Sequence, residues 1–248
     1  MKKSKFIVAN WKMNLTISSS KELIKSTETA INNLDPCIKV IICPQFPLIP
    51  ILNDYLGANS LISLGAQDCH HEVNGAFTGE TSIELLKELN CRYIISGHSE
   101  RRLNNFESSN LIKNKVKRII DLSLTPILCV GETLKDRKSN RYLEVISKQL
   151  FDSLPENVEE ILIAYEPIWS IGTGLIPELF EINEVAKHIK TFINEGEKKI
   201  KKFSVLYGGS VNSTNFFDIL NIENIDGGLV GGASIKSNEF NKMLKNLI

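Results

Sequence analysis

Eight short apolar runs, separated by longer segments, constrain this 248-residue chain more than any other feature. The runs lie at 6–9, 40–43, 62–64, 93–95, 126–130, 161–165, 203–207 and 227–230. Each is continuous rather than alternating, and a turn-forming Gly, Pro, Asn or Ser follows closely. Such runs suit strands buried on both faces of a parallel sheet. The segments between them read at helical period. Residues 20–34 place Leu23, Ile24, Thr27, Ala30, Ile31 and Leu34 on one face. Segments 110–122, 142–154 and 182–193 repeat the pattern, and Ser82 opens a shorter helix to about Leu89. Leu179 and Phe180 extend the segment at 182–193 backwards, with Pro177 in its first turn. Alternation of strand and helix argues for a parallel sheet, and eight repeats argue for closure into a (β/α)8 barrel. An open doubly wound sheet is the competing arrangement. It favours a Gly-rich turn after the first strand, where this chain has Asn10-Trp11-Lys12. No linker-like stretch divides the sequence, so residues 1–248 read as one domain.

Charge narrows the function. The 29 Lys and Arg balance 29 Asp and Glu, so no basic field exists for nucleic acid. The run Lys198-Lys199-Ile200-Lys201-Lys202 reads as a solvated helix end before a strand. No apolar run is long enough to span a membrane. Five cysteines, an odd number without a C-x-x-C, argue for reduced thiols and a cytoplasmic setting.

In such a barrel, chemistry gathers at the C-terminal ends of the strands. Asn10 and Lys12 follow the first strand, His98 the fourth and Glu166 the sixth. Gly208-Gly209-Ser210 follows the seventh and Gly231-Gly232 the eighth. The paired glycine turns offer backbone N–H groups to a phosphate. The segment Pro167-Ile168-Trp169-Ser170-Ile171-Gly172-Thr173-Gly174-Leu175-Ile176 has a stiff start, an apolar body and a glycine tip, which suits a lid. Glu166 under an apolar lid reads either as a base with a raised pKa or as a carboxylate facing a helix dipole. His98 reads as a rim imidazole kept neutral by a helix N-terminus, or as a structural hydrogen-bonding group. Lys12 is a surface lysine or, with Trp11 and Met13 beside it, a packed one. Cys69-His70-His71 offers metal-ligand types without a second half, so no metal is expected.

The chain resembles the triosephosphate isomerase family over essentially its whole length. The resemblance is carried by Asn10-Trp11-Lys12-Met13-Asn14, Gly65-Ala66-Gln67-Asp68, Gly75-Ala76-Phe77-Thr78-Gly79-Glu80, Gly97-His98-Ser99-Glu100-Arg101-Arg102, Ala164-Tyr165-Glu166-Pro167-Ile168-Trp169, Ile171-Gly172-Thr173-Gly174, Tyr207-Gly208-Gly209-Ser210 and Gly231-Gly232-Ala233-Ser234. It implies a TIM barrel that interconverts dihydroxyacetone phosphate and D-glyceraldehyde 3-phosphate, in glycolysis and gluconeogenesis, without cofactor or metal. It implies Glu166 as base, His98 as proton shuttle, and Asn10 and Lys12 as donors to the substrate. Gly172, Ser210, Gly231 and Gly232 would hold the phosphate, and Ile171 and Leu229 would cover Glu166. Glu100, Arg101, Cys129 and Tyr207 match positions just behind the site. A homodimer is implied too, its loop after the third strand carrying Gly75, Phe77 and Thr78 into the partner subunit. In one respect the sequence departs from the family. Many members follow the lid's Gly-Thr-Gly with Lys, small residues and Pro, whereas Gly174-Leu175-Ile176-Pro177 is about two residues shorter. That departure implies a changed contact between Tyr207 and the closed lid. Two other readings remain. A Schiff-base aldolase needs a lysine in the sixth strand, which has none; a non-catalytic barrel needs the loss of Glu166, His98 or Lys12.

Overall fold

A computed structural model of the chain describes residues 4–57, 60–173 and 175–247. Eight parallel strands close in sequential order: β1 Lys5–Asn10, β2 Ile38–Cys43, β3 Ile62–Ala66, β4 Tyr93–Ser96, β5 Thr125–Val130, β6 Asn157–Tyr165, β7 Lys199–Tyr207 and β8 Gly227–Val230. Around them run α1 Ile17–Ile31, α2 Leu48–Leu56, α3 Ile83–Glu88, α4 Ser99–Asn104, α5 Ser109–Asp121, α6 Leu134–Lys138, α7 Tyr142–Ser153, α8 Leu179–Glu195, α9 Phe216–Leu220 and α10 Ser237–Lys245. The ring closes where Phe6 to Ala9 register with Gly227 to Val230. This is the (β/α)8 barrel that the eight runs imply.

Period two along each strand divides the core into two layers. Phe6 and Val8 point inward with Ile41, Ile95, Ile127, Leu162, Leu206 and Leu229 and fill the barrel. Ile7 and Ala9 point outward against the helices, beside Leu23, Ile24 and Ile49. Burying each such aliphatic side chain contributes about 1.5–3 kcal/mol before the entropy of ordering is set against it. Helix starts are fixed by side chains. Thr16, Ser82, Ser108 and Thr133 each accept a backbone N–H from three residues ahead.

Several boundaries differ from the sequence reading. Helix α1 begins at Ile17 rather than Ser20, because Thr16 and Ser19 form a reciprocal cap. Pro177 lies before the first turn of α8, whose cap is Glu178. The lysine run is not a helix end: β7 begins at Lys199, and β6 pairs with it from Asn157. Lys201 bridges Glu159 at 2.6 Å across that pair. Lys198 donates to the carbonyls of Phe151 and Leu154 at the end of α7.

Candidate active site

The rim cavity, about 430 Å³, is lined by residues that come from the ends of five strands, β1, β4, β6, β7 and β8. They include Asn10, Lys12, His98, Glu166, Ile171, Gly172, Ser210, Leu229, Gly231 and Gly232. A larger cleft of about 720 Å³ lies on the outer wall between α5, α7 and α8, and none of these rim residues lines it.

The first strand delivers two polar groups by a strained turn. Lys12 has φ of +51°, an uncommon conformation for a residue with a side chain. Two hydrogen bonds hold it there. Its N–H donates to Asn10 Oδ1 at 3.0 Å, and Gln67 Nε2 donates to its carbonyl at 2.8 Å. The ammonium then meets Glu100 Oε1 at 2.6 Å. Its flanks differ from the packed setting expected of both: Trp11 is fully buried, but Met13 is 87 % exposed.

His98 caps α4. Its Nδ1 accepts the Glu100 N–H at 3.2 Å, which leaves the proton of a neutral ring on Nε2. That Nε2 stands 3.0 Å from Glu166 Oε1. Glu166 Oε2 accepts the Ser99 N–H at 2.9 Å. The carboxylate is buried, and its titration runs opposite to the first of the two sequence readings, a raised pKa, while the Ser99 N–H at the start of α4 is the kind of contact the second reading invoked. Burial raises its pKa, but the His98 ring and the Ser99 N–H outweigh burial and hold it below the ordinary 4.5. For His98, burial lowers the pKa, but Glu166 and then Glu100 outweigh it and leave the ring above 6.5. The sequence reading counted desolvation and did not foresee that Glu166 rests against an imidazole. Cys129 packs in the barrel interior close by, and burial pushes its thiol well above the ordinary value.

The segment read as a lid rests on the seventh turn. Ser170 is its anchor: its hydroxyl donates to Leu175 O at 2.7 Å, and its carbonyl accepts Ser210 Oγ at 2.5 Å. Ser210 N–H also reaches Ser170 Oγ at 3.3 Å, so this phosphate-donor candidate is engaged with the lid here. Gly172 forms the tip at φ +70°, and Leu175 and Ile176 are exposed. Gly174 lies outside the described residues. Tyr207 is buried, and among the described residues its hydroxyl has no hydrogen-bond partner; a Cβ on Gly209 would fall 2.2 Å from that oxygen. On the eighth turn, Gly231 packs against the Lys12 side chain, and a short 3-10 helix begins at Gly232.

Sequence reasoning missed Glu132. It is fully buried and accepts Trp169 Nε1 at 2.8 Å and the Tyr165 hydroxyl at 3.1 Å. Burial raises its pKa against those donors. Its place just past β5 is the signal that could have found it. Arg101, expected behind the site, joins a buried cluster. It meets Asp68 at 2.8 Å and Glu107 at 2.7 Å, and Lys115 bridges the same two carboxylates. Gly75, Phe77 and Thr78 lie on an exposed loop and do not line the chain's own cavity.

A carboxylate, an imidazole with a proton on Nε2, a lysine and two glycine turns therefore share one cavity beneath an apolar segment. The family model described as triosephosphate isomerase matches residues 5–247. The chain belongs to the triosephosphate isomerase family. Curated triosephosphate isomerases agree in length as well as sequence. That of Alkaliphilus metalliredigens is 42% identical over 94% of this chain and 96% of its own. That of Amoebophilus asiaticus is 38% identical over 97% and 98%. The crystal structure of triosephosphate isomerase from Bartonella henselae matches with a TM-score of 0.87 at 36% identity, covering 96% of this chain and 97% of that one.

Proposed function

We propose that Glu166 is the base of a triose-phosphate isomerisation that runs through an enediolate, with His98, Lys12 and Asn10 as its electrophilic partners. As a member of this family the chain is an enzyme, an aldose–ketose isomerase acting on a triose phosphate in glycolysis. The observation that carries the mechanism is the contact of the buried Glu166 carboxyl with the Nε2 edge of His98 inside the cavity.

The steps follow from charge. Glu166 leaves the Ser99 N–H and takes a proton from the carbon beside the carbonyl. Gly208 presents no side chain to its Cγ and leaves room for that swing. The carbonyl oxygen gains charge, and His98 Nε2–H, Asn10 and the Lys12 ammonium stabilise it. Pre-aimed donors of this kind contribute about 3 kcal/mol each. His98 moves a proton between the two oxygens, and Glu166 returns its proton to the neighbouring carbon. Gly172, Ser210, Gly231 and Gly232 bind the phosphate through N–H groups, and Lys12 adds charge. Ser210 releases Ser170 as Ile171 closes with Leu229 over the carboxylate. Closure excludes water and retains the enediolate. Neither cofactor nor metal takes part in these steps.

The resting contact gives a pH prediction. Glu166 is what raises His98 in the free enzyme. Binding of a phosphate-bearing analogue with an uncharged hydroxyl in place of the carbonyl draws Glu166 away without putting an anion at Nε2, so the His98 pKa falls. NMR titration of the imidazole checks this: a pKa above 6.5 in the free enzyme should drop on binding. An unchanged or rising value contradicts the assignment.

We infer also a cytoplasmic homodimer of single-domain subunits, one barrel over residues 1–248. Met13, Val73 and Phe77 expose apolar surface, and Phe77 stacks on His70 with ring centroids 4.1 Å apart. Among the described residues no helix is long and apolar enough to cross a membrane, and all five cysteines are free thiols, which supports the location. Phe77→Glu should shift the sedimenting species toward the 27.8 kDa monomer at micromolar protein and lower activity with it. A variant that sediments as wild type contradicts the role of this loop.

A further inference from the structure

Gln149 lies on α7, outside the rim cavity, and no step above uses it. Its amide closes on a single residue. Oε1 accepts the Gly131 N–H at 2.8 Å, and Nε2 donates to the Gly131 carbonyl at 2.9 Å. Gly131 is the first residue past β5, and it touches the backbone that carries the base. A Cβ built on it would fall 1.7 Å from the carbonyl oxygen of Glu166 and 3.3 Å from its Cα. Only a residue without a side chain fits that approach. The Glu166 N–H donates to Val130 O at 2.8 Å, so the Glu166 backbone is held by Val130 and abuts Gly131. The next residue, Glu132, accepts the Ile168 N–H at 3.1 Å and seats the start of the lid.

We propose that Gln149 is a positioning residue for Glu166, acting through Gly131. The inference rests on the reading of Glu166 as base. A primary amide supplies one donor and one acceptor in a plane, which is what two backbone groups of one residue require. Asparagine has the same groups on a shorter stem. Without the clamp, the turn at 131–132 loses both side-chain bonds, and the Glu166 backbone loses the fixed surface it rests on. The phosphate donors sit on other turns and are untouched.

Gln149→Leu keeps the volume and removes both bonds. Misplacement of about 1 Å at a reacting group costs on the order of 100-fold, so kcat should fall by about 10- to 100-fold while KM stays within about twofold. Gln149→Glu keeps an acceptor for the Gly131 N–H and should recover part of the loss. In the Glu166→Ala background, Gln149→Leu should change the residual rate by less than about twofold, because coupled residues do not add. A folded Gln149→Leu enzyme with wild-type kcat overturns the proposal. An equal loss in the Glu166→Ala background overturns it too, since the effect then runs through another group. If Gln149→Leu does not fold, Gln149→Glu goes through the same cycle with the same criteria. Should Glu166→Ala itself retain full activity, the base assignment fails separately from the clamp.

Discussion

Glu166→Ala should lower kcat for conversion of glyceraldehyde 3-phosphate by about 10⁴-fold, the upper range for a general base. That corresponds to about 5.4 kcal/mol of transition-state stabilisation. The effect is large because no other carboxylate lines the cavity. Glu100 is bound to Lys12, and Glu132 is tied to the lid's Trp169 and to Tyr165. KM should change far less, since the phosphate donors remain. Glu166→Gln keeps the shape and a hydrogen-bonding tip but no basic lone pair of comparable strength, and it should lose nearly as much. Thermal unfolding of both variants separates loss of chemistry from loss of fold. Activity within tenfold of wild type in a folded variant would falsify the assignment.

The second large effect belongs to Lys12. Lys12→Met removes the one Lys or Arg among the described residues that line the cavity, and should lower kcat/KM by on the order of 10³-fold through both kcat and KM. Two features of the site support so large an effect. In the proposed mechanism the ammonium is the charge that the developing oxyanion and the phosphate share. Its loss also leaves Glu100 without its 2.6 Å partner, a half-exposed negative charge near His98 and the anionic substrate. Steady-state kinetics with a guanidinium-free alkylammonium salt added provides the check. Partial rescue by the small cation supports a charge role, and a variant that keeps wild-type kcat/KM contradicts it.

The barrel was legible because parallel strands buried on both faces must be apolar throughout. Residues 126–130 and 161–165 announce themselves in that way. The outer halves of β6 and β7 were not legible. Glu159, Glu160, Lys199, Lys201 and Lys202 pair across a two-stranded extension where solvent reaches the charged groups, so hydropathy hides the strand. Helix α9 is only five residues long, too short for a period to register. In the site, residue types and rim positions were readable. Glu166, His98, Lys12 and both glycine turns followed from strand ends alone, and the resemblance named their roles. What was not readable was the resting arrangement. The contact of Glu166 with His98 joins β6 to β4, and it reverses the pKa direction that burial by itself dictates. The clamp of Gln149 on Gly131 joins a helix face to a loop and leaves no local pattern at all.

Carbon-bound hydrogen exchange tests the central claim most directly. Wild type and Glu166→Ala are incubated with glyceraldehyde 3-phosphate in deuterium oxide, and the product is read by proton NMR. The account predicts rapid formation of dihydroxyacetone phosphate carrying deuterium at the carbon that receives the proton, and almost none with the variant. Equal deuterium incorporation by both proteins, at equal rates, would show that Glu166 does not move the proton.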